Sequence, residues 1–117
     1  MLQTVVETPE YIRRANRCMD EESRDSFITH IAANPLEGEL ITETGGARKI
    51  RWKSNSHKGK RGGARVIYYY YNEEMPIFLF TAYGKNEKDD ISDEEKKMLK
   101  KIIKSIVKTY YEDDDHE

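Results

Sequence analysis

The sequence predicts one mixed α/β domain of the α+β kind: a small, antiparallel-rich twisted sheet with helices packed on it. Three observations predict it. Residues 47–53 alternate strictly, with Ile50 and Trp52 on one face and Lys49, Arg51 and Lys53 on the other. Two more β-branched or aromatic runs, 64–71 and 77–83, follow at short intervals. Apolar residues recur at helical spacing before and after this block.

The elements read in order as β-α-α-β-β-β-α. Residues 2–6 are a short β-prone run, ended by Thr8 and Pro9. Thr8 as N-cap and Pro9 at the first helical position open a helix that carries Tyr11, Ile12, Ala15 and Met19 on one face. Asp20 caps a second helix whose apolar face is Phe27, Ile28, Ile31 and Ala32, and Asn34-Pro35 stops it. A polar link, 36–43, leads to Gly45-Gly46. The strand 47–53 is followed by a loop, 54–63, with three glycines, two serines and one asparagine. The strand 64–71 is predicted to be central. A turn around Asn72 and Pro76 gives a third strand, 77–83, that is apolar on both faces and so buried. Short links make these three an antiparallel meander, with the helices expected on one face. Ser92 and Glu95 form a capping box that opens a last helix, with Met98, Leu99, Ile102, Ile103, Ile106, Val107 and Tyr110 on one stripe. The domain is expected over 1–111, with 112–117 a disordered acidic tail.

A chain of 117 residues is long enough for one modest core. Its single cysteine, Cys18, excludes an intramolecular disulfide and reads as a small buried residue in a reducing compartment. The N-terminus lacks the basic n-region of a signal peptide, and no apolar run approaches the ~20 residues of a membrane span. The expected location is the cytoplasm.

Charge is the most informative property. Residues 1–43 carry nine acids against four bases, and residues 73–117 carry thirteen against eight. Between them, 44–72 holds Arg48, Lys49, Arg51, Lys53, Lys58, Lys60, Arg61 and Arg65 and no acid. A positive field focused on one window suits a polyanion. Within 58–65, glycines allow close backbone approach to a phosphate and arginines add planar forks for its oxygens. Trp52 and Tyr68, Tyr69, Tyr70 and Tyr71 supply rings for packing or for base stacking. The spacing is not that of a Walker loop. His30, His57 and His116 are scattered, so neither a metal site nor a cofactor is predicted, and no nucleophilic serine triad is supported. His30 reads as a partly buried helix residue.

Three blocks carry a resemblance. They are Thr44-Gly45-Gly46-Ala47-Arg48-Lys49-Ile50-Arg51-Trp52, then Gly59-Lys60-Arg61-Gly62-Gly63-Ala64-Arg65-Val66-Ile67-Tyr68-Tyr69, then Thr81-Ala82-Tyr83-Gly84-Lys85 running on to Ser92. In this order they resemble the RelE/ParE toxin superfamily, and more narrowly its HigB-like branch of ribosome-dependent mRNA interferases. The likeness covers nearly the whole chain, including Asn34-Pro35. His57, beside Lys58, departs from the small residue that relatives carry there. The resemblance implies a RelE-like fold and a toxin that enters the ribosomal A site and cuts messenger RNA by attack of a ribose 2′-OH on the adjacent phosphate. It also implies a cognate helix-turn-helix antitoxin.

Residue by residue, Arg65 is expected to clamp the phosphoryl oxygens, where charge builds in the transition state. Lys58 and Lys60 match the family's loop lysines. Crowding disfavours their charged forms, which suits either to act as general base. Tyr83 and Lys85 match positions that orient the nucleotide or protonate the leaving oxygen. Arg48, Arg51, Lys53 and Arg61 are expected to hold messenger or ribosomal RNA backbone. Two other functions fit the same composition: a ParE-like toxin acting on DNA gyrase, and a non-catalytic RNA-binding module.

Overall fold

The computed structural model describes residues 2–53, 63–85, 87 and 90–112. The elements are β1 (Val5–Glu7), α1 (Pro9–Cys18), α2 (Glu21–Ala33), β2 (Glu39–Leu40), β3 (Arg48–Trp52), β4 (Ala64–Tyr69), β5 (Ile77–Gly84) and α3 (Asp93–Glu112). The expected order therefore holds, with one addition. The polar link contains β2, whose two residues pair antiparallel with Lys49 and Arg48.

The sheet order is β1-β5-β4-β3-β2. The meander β3-β4-β5 is antiparallel, as the short links require, and β1 lies parallel to β5 at one edge. The helix starts are local and form as the sequence predicts. The Thr8 hydroxyl accepts from Tyr11 N at 3.2 Å, and the Asp20 carboxylate accepts from Ser23 N at 2.8 Å. Ser92 and Glu95 close the capping box reciprocally, at 3.2 and 3.0 Å.

The helices do not share one face. Tyr11, Ala15 and Cys18 of α1 and Phe27 and Ile31 of α2 pack on Ile50, Val66, Tyr68, Ile77 and Leu79. Leu99 and Ile103 of α3 pack on the opposite face, against Ala47, Ile67, Tyr69, Phe80 and Tyr83. The reason is the strands themselves. β4 and β5 are apolar at odd and even positions alike, so a one-sided arrangement would leave Ile67, Tyr69 and Phe80 in water. Each such side chain contributes about 1.5–3 kcal/mol on full burial.

The tyrosine run divides between core and surface. Tyr68 is fully buried, and its hydroxyl accepts from Gly38 N and donates to Pro35 O, both at 2.8 Å. Tyr69 is buried, while Tyr71 is 51% exposed. Trp52 is held by packing: its ring meets Phe27 edge-on at 5.5 Å, and its indole N–H donates to Ser23 O at 3.0 Å. His30 lies partly buried beside that ring, with Nε2 at 2.8 Å from Glu37 Oε2.

One irregularity sets the phase of β5. Ile67 faces Thr81 but Tyr68 faces Leu79, which leaves Phe80 as an extra residue, a β-bulge. The Thr8 hydroxyl, besides capping α1, donates toward Leu79 O at 2.8 Å and Phe80 O at 3.2 Å. One side chain thus satisfies a helix start and the carbonyls at a bulge. Thr8→Val removes both and should destabilise the fold by about 1–2 kcal/mol, whereas Thr8→Ser should keep most of the stability. Urea unfolding of the two variants measures this.

Candidate active site

The register of the meander sets Arg51 of β3 opposite Arg65 of β4, and Arg65 opposite Tyr83 of β5. Directly opposed residues of antiparallel strands share a face, with Cβ atoms ~4.5–5.5 Å apart. Arg51, Arg65 and Tyr83 thus form one row across three strands, on the face that α3 covers farther along. The bulge decides the third member. Had the register of Tyr68 and Leu79 continued, Ala82 would face Arg65.

Two arginines face to face repel, and the gain for an anion lying between them rises accordingly. Arg51 is exposed and Arg65 half-buried. Beside them, Lys49 occupies the next position on the same face of β3, opposite Ile67. A groove of about 470 Å³ opens here, lined by Arg51, Arg65, Lys49, Glu37, Gly38 and Glu39. Its cations come from two strands and its carboxylates from β2 and the turn before it.

Lys49 also reaches across the sheet. Its Nζ lies 3.3 Å from Asp90 Oδ1, which ties the segment leading into α3 to β3. The same oxygen accepts from Ile91 N at 2.8 Å. That backbone bond first, and Lys49 second, hold the Asp90 carboxyl below the usual carboxylate range. Lys49 and Asp90 were not among the site residues expected from sequence. The alternation of β3 placed Lys49 with Arg51, but nothing local announced Asp90.

The remaining expected residues fall in different places. Tyr83 is 1% exposed and packs with the α3 core, so its ring forms the floor of the row and not its surface. Lys85 is exposed in the turn just past Gly84. That turn is held by Glu87, whose N–H donates to Gly84 O at 3.0 Å and whose carboxylate lies 3.6 Å from Arg14. Lys53 is exposed at the end of β3. Arg48 alternates onto the other face, where its guanidinium donates to Gly38 O at 2.7 Å and Leu36 O at 3.3 Å. It straps the 36–38 segment to the sheet, and so stands apart from the Arg51 row with which the sequence grouped it. Lys58, Lys60, Arg61 and His57 lie outside the described residues. So do residues 113–117 of the expected tail. Among the described residues, no group of three or more His, Cys, Asp or Glu is placed to hold a metal ion, and no helix is long and apolar enough to cross a membrane.

Fold and site together define a class: a small α+β protein that presents a cationic row at one end of a β-meander backed by helices. A solved structure of the E. coli toxin RelE, a double arginine-to-alanine mutant in the free state, is similar to this chain with a TM-score of 0.53 at 12% identity, over 76% of this chain and 90% of that one. At that identity the likeness shows the fold. The family model described as RelE toxin of the RelE/RelB toxin-antitoxin system matches residues 12–114. The chain belongs to the RelE toxin family.

The Lys49–Asp90 pair yields a pH prediction. A carboxyl whose pKa is depressed by folding contributes stability above the ordinary carboxylate range, and loses it as pH falls through the folded pKa. Lys49→Met should raise the Asp90 pKa toward the ordinary value without reaching it, because the Ile91 N–H bond remains. Asp90 is about half exposed to screening solvent while Lys49 is partly buried, so the stability change at neutral pH should stay within about 1 kcal/mol. Carbon-detected NMR titration of the Asp90 carboxyl reads the first effect, and urea unfolding at two pH values reads the second.

Proposed function

We propose that this RelE-family toxin is a ribosome-dependent endoribonuclease of the HigB-like branch, which cuts messenger RNA in the A site and so stops translation. The observation that carries this reading is the facing pair Arg51 and Arg65 at the end of the meander where β3 and β4 are connected. In the reaction a ribose 2′-oxygen attacks the adjacent phosphorus, a cyclic phosphate forms, and the bond to the 5′-oxygen of the next nucleotide breaks. Nucleophile and electrophile both belong to the RNA. The protein's task is to supply positive charge where the phosphoryl oxygens become more negative, and arginine does this with two parallel donors and no metal.

Arg65 is the clamp in this reading, with Arg51 beside it on the incoming backbone. Lys58 and Lys60 act as general base or as further electrostatic support, on the strength of their place in the glycine-rich sequence. Lys85, at the exposed end of β5, donates the proton to the leaving oxygen, and Tyr83 sets the shape of the floor beneath. Lys53 and Arg61 hold RNA backbone farther out. Two arginines and a buried phenol orient a substrate poorly by themselves, so cutting depends on the ribosome to align the 2′-OH, and orientation supplies a large part of such a barrier. The toxin works in the cytoplasm and is neutralised by a helix-turn-helix antitoxin.

The test is a cell-free translation reaction with messenger ends mapped by primer extension. New ends at A-site codons are expected with the wild-type chain. Arg65→Ala should reduce them by about 10²- to 10³-fold, the cost of losing one preorganised donor to the developing charge. Arg65→Lys should retain part of the activity, because it keeps the charge but loses the fork. Intact messenger under continuing translation would overturn the reading and direct attention to gyrase supercoiling.

A further inference from the structure

The chain holds a second cation-only window. Residues 96–111 carry six lysines and no acid. The helical period puts Lys96, Lys100, Lys104 and Lys108 along one flank of α3. That flank borders a groove of about 560 Å³ lined by Gly45, Tyr69, Tyr71, Lys100, Lys104 and Tyr111, among others. The rings are arranged as a small platform. Tyr69 and Tyr71 stack with centroids 6.3 Å apart and planes at 27°, and Tyr111 meets Tyr71 edge-on at 5.6 Å. Tyr71, 51% exposed, offers a ring surface to solvent.

We propose that this groove is a second single-stranded RNA site, in which a base stacks on Tyr71 while the adjoining phosphates lie on Lys100 and Lys104. The inference rests on the chain being an RNA-acting toxin and extends the surface that the RNA follows. Three features favour RNA over a protein partner. Lysines beside an exposed ring are the standard pairing for single strands, where stacking tolerates any base and cations track the backbone. The groove lies on the same face of the sheet as Arg51 and Arg65, with the Lys49–Asp90 ion pair between them. The opposite flank of α3 has the contrary character: there Met98, Ile102 and Glu95 of α3 line an apolar groove of about 720 Å³ together with Glu7 of β1 and Glu10 of α1. A polyanion is repelled from that side and drawn to the lysine side. From Arg65 to Tyr69, the last residue of β4, the strand spans four residues, roughly 13 Å at ~3.3 Å per residue, and Tyr71 lies two residues beyond its end. That is already the length of about four stacked nucleotides at ~3.4 Å each, so a strand that reaches Tyr71 as well is longer.

The experiment uses the full chain and a fluorescein-labelled, 2′-O-methylated oligouridylate of twelve nucleotides, which cannot be cut, read by anisotropy at several salt concentrations. The double variant Lys100→Glu, Lys104→Glu should bind at least about tenfold more weakly at low salt and flatten the salt slope by about 1.4, the value for two phosphate contacts on a single strand. Tyr71→Ala should weaken binding by about tenfold, and Tyr71→Phe, which keeps the ring, should stay within about twofold of wild type. A four-nucleotide probe, too short to span both sites, should bind the double variant and the wild type with smaller differences. Thermal melts establish that each variant is folded. Wild-type affinity for the twelve-nucleotide probe in the double variant would overturn the proposal. If that variant instead lost its hold on the purified antitoxin, the groove would belong to a protein. Because the probe is inert, the result stands apart from catalysis: Arg65→Ala leaving cleavage intact would sink the active-site reading and leave this one in place.

Discussion

The constraint on which the structure depends is that β4 and β5 are apolar on both faces. A strand pair of this kind cannot lie on a single layer of helices. Two separate cores result, one under α1 and α2 and the other under α3. Everything that positions the site follows from this sandwich. α3 must cross the second face, so its first turn and the segment before it arrive beside β3, where Asp90 meets Lys49. The row of Arg51, Arg65 and Tyr83 is the part of that face lying at the end of the meander where β3 and β4 are connected.

Much of the fold was legible because it is local. Thr8, Asp20 and the Ser92–Glu95 box mark helix starts through bonds that span three residues. The alternation of β3 and the apolar runs of β4 and β5 mark strands by their own period. What was hidden depends on partners distant in sequence. β2 is two residues that become strand only by pairing with β3. The side of the sheet taken by each helix is a tertiary choice, and the expectation of one face failed there. The bulge at Phe80 has no signature in the residues around it, yet it decides whether Tyr83 or Ala82 joins the row.

The site was legible as composition and not as geometry. An acid-free window led to the expectation of a polyanion surface, and the facing arginines give that window a place in the fold. It did not announce that Arg48 would alternate away to strap Leu36 and Gly38, nor that Tyr83 would be buried. Facing arginines cost stability, and proteins keep such conflicts where function needs them. Here the carboxylates of Asp90 and Glu39 stand close by and soften the field without filling the row.

The parallel pairing of β1 with β5 has a consequence for how the molecule is made. Val5 pairs with Ile77 and Glu7 with Leu79, so the first strand's partner is synthesised long after it, with two helices and three strands in between. While the chain is being made, β1 waits unpaired, and the edge of the sheet closes only after β5 has left the exit tunnel. Contacts of such separation form late, because a long loop must close before they are rewarded.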